Sequence, residues 1–125
     1  MEVQEAHDIL VTTLSRKVKE FSNRGIQVRI FHGSTNSTRA QNFDATKLID
    51  TSGLNCVIEV NAAEGYAIVE PNVPMDGLVE ACLQQGMIPP VVMEFPGITV
   101  GGGIQGGAGE SSSFKEGLFH ARSTI

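Results

Sequence analysis

The chain has 125 residues, room for one domain, and a hydrophobic share of 41%, enough for a core. Nine Lys and Arg against fourteen Asp and Glu leave a net charge of −5, which excludes the basic face that a nucleic-acid binder needs. Apolar runs are only a few residues long, so a membrane span is excluded.

The first predicted element is a helix over roughly Val3 to Arg24. Val3, Ala6, Leu10, Leu14, Val18 and Phe21 recur at helical spacing, and Arg24 and Gly25 make its end. Met1 leads at once into Glu2 and Glu5, with no basic stretch before an apolar one, so no signal peptide is expected. Ile26 to Phe31 reads as a short strand. His32 to Arg39 reads as a loop of small polar residues, and Ala40 to Asn55 has no clear assignment. Cys56 to Val60 and Tyr66 to Glu70 read as two strands, with a turn at Ala62 to Gly65. Pro74 to Gln85 reads as a second helix, with Leu78, Val79, Cys82 and Leu83 as its apolar stripe and Gly86 as its stop. Pro90 to Met93 is expected as another short strand. After Pro96 come seven glycines between Gly97 and Gly109 and then three serines, read as a glycine loop. There is no internal repeat. The order is an α+β pattern rather than a regular βαβ alternation.

Two stretches could carry chemistry. In His32, Gly33, Ser34, Thr35, Asn36 and Ser37, small residues directly after a strand let backbone N–H groups approach an anion such as a pyrophosphate. The same composition also fits an ordinary polar surface loop. The second stretch runs from Ile98 to Glu110. Gly101, Gly103 and Gly106 satisfy G-x-G-x-x-G, but a dinucleotide site would need a helix after them and an acidic residue about 20 positions on. After them come Gly107, Gly109 and three serines, poor helix material, so that reading is rejected. A close backbone approach to a ligand, a linker and an irregular core turn all stay open.

The remaining features are quieter. Cys56 and Cys82 have neither metal-ligand nor redox spacing and are expected as buried thiols in a reducing compartment. His7 and His120 read as surface or structural histidines. Asp76 and Glu80, four apart on the second helix, read as a solvated face rather than a catalytic pair. No metal site and no recognisable nucleophile set is present in the sequence.

Taken together, VRIFHGSTNSTR (Val28 to Arg39) and the Thr-x-Gly-Gly element at Thr99, Gly101 and Gly102, followed by Gly106, Gly107 and Gly109, resemble the FAD-linked oxidase family. Its flavin domain is called the PCMH or vanillyl-alcohol-oxidase type. The words VEP (Val69 to Pro71), TVGG (Thr99 to Gly102) and ESSSFKEGLF (Glu110 to Phe119), in this order, are similar to the delta-24 sterol reductase branch of that family.

The resemblance implies an α+β fold, the first subdomain of a PCMH-type FAD-binding domain over residues 1–125. It implies FAD held at His32 to Ser37 and along Ile98, Thr99, Val100, Gly101, Gly102, Gly103, Gly106, Gly107, Gly109, Glu110 and Ser111. Many relatives link the flavin to a histidine in the first loop. Aligning on Gly33 puts Thr35 there, so FAD is expected to be non-covalent. In the sterol branch NADPH passes a hydride to FAD, which reduces a side-chain double bond of a sterol. An oxidase of an alcohol or hydroxy acid using dioxygen is the alternative enzyme, and a non-catalytic flavin-binding remnant the alternative outside catalysis. The family's domain continues well past Ile125 into further strands and a substrate-binding cap, so the chain is expected to be truncated. An intracellular location is expected: cytoplasmic, or at the endoplasmic reticulum if a full-length form carries a membrane anchor.

Overall fold

A computed structural model describes residues 2–33 and 44–123, and the chain divides into two units, Met1–Leu54 and Asn55–Ile125. The first unit opens with helix α1, Val3–Asn23. Its end is set by Gly25, whose φ of 66° is left-handed. The Ile26 N–H donates to the Phe21 carbonyl and the Gly25 N–H to the Ser22 carbonyl, both at 3.0 Å. That pair of bonds is the Schellman stop, with glycine at the one position where a Cβ would be costly.

Strand β1, Arg29–Phe31, pairs parallel with β2, Leu48–Asp50, placing Ile30 opposite Ile49. β1 is shorter than expected, since residues 26–28 lie outside the ladder. β2 falls within the stretch to which sequence patterning gives no assignment. It is preceded by a 3-10 turn, Ala45–Lys47, opened by Asp44. The Thr46 hydroxyl and then the Thr46 N–H donate to the Asp44 carboxylate, which holds that carboxyl below the usual range. Asp50 repeats the device with the Ser52 hydroxyl and N–H. Ile49 and Leu54 are buried, and α1 lies against β2.

The second unit begins with an antiparallel hairpin of β3, Val57–Asn61, and β4, Tyr66–Val69, in the register Val60 to Ala67 and Asn61 to Tyr66. The turn at residues 62–65 is as expected, and Gly65 closes it with a left-handed φ of 75°. Helix α2, Met75–Leu83, lies inside its predicted span. Its stripe splits, however: Leu78 and Cys82 are buried, while Leu83 is 58% exposed.

Two expectations are corrected. Residues 90–93 form no strand: Val91 and Met93 are buried and Val92 is exposed, a strand-like alternation, but no ladder partner lies alongside among the described residues. Pro89 and Pro90 lack the N–H a ladder requires. The glycine stretch is not a loop either. Residues Val100–Gly106 form helix α3. A four-residue helix α4, Ser113–Glu116, and a 3-10 turn, Phe119–Arg122, come after it. The core of this unit is Val73, Met75, Leu78, Cys82, Val91, Met93, Val100 and Phe119.

Candidate functional site

Helix α3 is held by a neighbouring strip of backbone rather than by its own propensity. The Gly101 N–H donates to the Pro71 carbonyl at 2.8 Å, Val100 to Val73 at 2.9 Å, and Met75 to Ile98 at 2.9 Å. Pro74 and Thr99 form an antiparallel bridge between these bonds. Residues 71–75 and 98–101 therefore run side by side, joining the VEP and TVGG words into one piece of structure. Glu70, the buried residue just before this strip in the chain, accepts the Cys56 N–H on its carboxylate at 2.7 Å. Glycine is poor helix material, costing roughly 1 kcal/mol per residue against alanine, so these tertiary bonds and the buried side chains must make up the difference.

The glycines of α3 divide by what surrounds them. A Cβ on Gly103 would collide with the Met93 Sδ and meet the Phe119 ring at 3.1 Å, and one on Gly101 would meet Pro71 at 3.1 Å. Packing inside the chain thus accounts for both. Gly107 accepts a left-handed φ of 63° that ends the helix. Gly106 is different: it is exposed, its φ is ordinary, and nothing lies within 4 Å of an added Cβ. Gly102 is also exposed, and a Cβ there would meet only the Thr99 hydroxyl, at 3.0 Å. Gly102 and Gly106 are four apart, so they share one face of α3. That face is bare backbone; the Thr99 hydroxyl gives an internal reason at Gly102, and the described residues give none at Gly106.

The other residues expected at the cofactor are spread over the ends of α3 and the turns around it. Thr99 caps α3, its hydroxyl accepting the Gly102 N–H at 3.1 Å. Val100 is buried and Ile98 half-buried in the core. Gly109 leaves room for Leu118, which an added Cβ would meet at 2.7 Å. The Glu110 carboxylate accepts the Glu94 N–H, and the Ser113 hydroxyl accepts the Glu110 N–H at 2.9 Å. Ser111 is exposed in the turn before α4. The structure thus brings Ile98 to Ser111 together in the second unit. His32 and Gly33, both exposed, belong to the first. Ser34, Thr35, Asn36 and Ser37 lie outside the described residues.

Pattern reading misses the Pro71 carbonyl that holds the start of the glycine helix and the buried Glu70 beside it in the chain, which bonds Cys56. Their only signal is the word VEP itself, since neither side chain belongs to a periodic stripe. Among the described residues, no group of three or more His, Cys, Asp or Glu side chains could hold a metal ion, and no helix is long and apolar enough to cross a membrane. Burial pushes the Cys82 thiol upward, and Cys56 is exposed rather than buried.

A family model described as an FAD binding domain matches residues 11–123. The chain is 31% identical over 117 residues to the delta(24)-sterol reductase of Homo sapiens, covering 90% of this chain and 23% of that protein. It is 34% identical over 118 residues to the delta(24)-sterol reductase of Rattus norvegicus, with the same coverage. A delta(24)-sterol reductase homolog of Caenorhabditis elegans is 31% identical over 120 residues, covering 91% of this chain and 23% of the relative. The chain therefore spans about a quarter of the length of the curated relatives it matches. No solved structure matches it at a significant level.

Proposed function

We propose, for a chain that belongs to the FAD binding domain family, that it forms the first, cofactor-gripping part of a PCMH-type flavin domain in a sterol-reductase-like enzyme. The observation that carries the reading is the bare face of α3 at Gly102 and Gly106. Both exposed helical glycines cost stability; Gly106 meets nothing among the described residues and Gly102 only the Thr99 hydroxyl that caps the helix, whereas a flat cofactor lying on backbone requires that no Cβ project there. The residues present fit FAD on that ground.

When bound, FAD supplies the electron transfer; the protein's share is to bind and orient it. In this reading Thr99 fixes the start of α3, Gly101 and Gly103 let the helix sit down on Pro71 and Met93, and Gly102 and Gly106 present an unobstructed surface. Glu110 acts at one remove, tying residue 94 to the turn before α4. His32, Gly33 and the small residues after them hold the pyrophosphate. Thr35 in place of a histidine leaves FAD without a covalent link. The names of the relatives point to a sterol as the substrate of the complete protein; NADPH as its electron source follows only from the resemblance read in the sequence.

The test is an FAD titration of the chain and of its Gly102→Val and Gly106→Val variants, followed by flavin fluorescence and melting temperature. The reading expects both variants to fold and to lose FAD affinity by about tenfold or more, since a close backbone contact is replaced by a steric clash. Unchanged affinity in both variants would refute it. Acid precipitation of the loaded protein should release all the flavin, and flavin left in the pellet would overturn the non-covalent attachment.

A further inference from the structure

The second unit has an open groove of about 660 Å³ along α2. Its floor and walls are apolar: Met75, Val79, Leu83, Val92, Met93 and Pro96. Its charged lining is of one sign, Asp76, Glu80 and Glu94, with no Lys, Arg or His among the lining residues. The groove exists because α2 is apolar on more than one side. Leu78 and Cys82 are buried in the core, while Val79 and Leu83, four apart, make an outer stripe flanked by Asp76 and Glu80 at the same spacing. Leu83 is 58% exposed and Val92 is 37% exposed. A row of aliphatic side chains left in water beside acidic groups is costly for a free surface and ordinary for an interface.

The geometry points to a docking groove for an amphipathic helix with a basic border, presented by a partner polypeptide. Two features select that occupant. The groove is elongated along a helix and apolar at its floor, the form that receives a helix through side chains at i, i+3 or i+4, and i+7. The charges on its rim are all acidic, so Lys or Arg flanking the partner's apolar stripe meets Asp76 and Glu80 on one helix and Glu94 across the groove. Acidic partners are repelled by the same three groups. The rim is also held in place, because the Glu94 backbone N–H is tied to Glu110. This inference does not rest on the flavin reading, since the groove shares no residue with the bare glycine face.

The probe is a fluorescein-labelled Leu/Lys model helix of about 14 residues, long enough for an i to i+7 stripe, followed by fluorescence anisotropy against the full chain at low and moderate salt. A Leu/Glu helix of the same pattern serves as the control. We expect saturable binding of the Leu/Lys helix, weakened at moderate salt, and none of the Leu/Glu helix. Leu83→Asp should lower affinity about tenfold, as a charge is forced against the apolar stripe. Glu80→Lys should lower it about fivefold, while Glu64→Lys, the same charge change in the exposed hairpin turn, should leave it within about twofold. Leu83 and Glu80 are both exposed, so circular dichroism should show both variants folded. Equal loss in Glu80→Lys and Glu64→Lys would reduce the effect to net charge and overturn the groove. Unchanged affinity in Leu83→Asp, or equal binding of the Leu/Glu helix, would do the same.

Discussion

Helices α1 and α3 are opposites. α1 has 21 residues, clear periodicity and good helix formers, yet none of its residues is fully buried. α3 has seven residues, four of them glycine, yet Val100 and Gly103 are buried and its first turn is bonded to a neighbouring strip. One helix rests on local preference and the other on tertiary contact. Glycine in α3 is where the two accounts collide: propensity would remove all four residues, while packing demands two of them and leaves two exposed.

The sharpest way to break this contrast is Gly103→Val. Its Cβ would collide with the Met93 Sδ inside the core, so the variant should lose about 3 kcal/mol despite the better helix former. Denaturant melts measure the loss. Thiol labelling gives a second readout: in the parent, exposed Cys56 should react quickly and buried Cys82 slowly, and in Gly103→Val the two rates should converge. Next in size is Glu70→Ala. It removes the buried carboxylate that accepts the Cys56 N–H and should cost about 2 kcal/mol, the range for a charge-assisted bond. A cost below about 0.5 kcal/mol, the lower end for an ordinary hydrogen bond, would show that the Cys56 N–H does not depend on that carboxylate.

Gly106→Ala should move the other way. With open space around its Cβ, it should gain about 0.5–1 kcal/mol of stability while weakening FAD. A gain in both would remove the reason for the bare face. The smallest effect belongs to α1. Val11→Ser alters an exposed position and should stay within about 0.5 kcal/mol. A larger loss would mean that this face of α1 is covered in solution.

Elements with their own local signals were legible from the chain. The Arg24–Gly25 stop, the turn before Tyr66 and the span of α2 all follow from periodicity and turn chemistry that act within a few residues. β2 was not legible, because three residues paired in parallel with β1 have no pattern of their own. α3 was not legible for the opposite reason. Its local signal, four glycines in seven residues, argues against a helix, and the strip that overrides it begins at Pro71, far back in the chain. The candidate site was legible as a set of positions but not as a division of labour. That Gly101 and Gly103 serve packing, Gly102 touches only the capping Thr99 hydroxyl and Gly106 touches nothing required the neighbours of each Cβ.

The bond from the Gly101 N–H to the Pro71 carbonyl has a bearing on how this segment can be rebuilt. Any side chain at position 101 presses on Pro71, and a shift of the backbone at 71 unseats the start of α3. A chimera that imports residues 98–107 from a relative while keeping its own residues 69–76 joins surfaces shaped by different partners, and should express poorly. Moving both stretches as one cassette keeps the seam intact, with Met93 as the position between them that must still suit a glycine at 103.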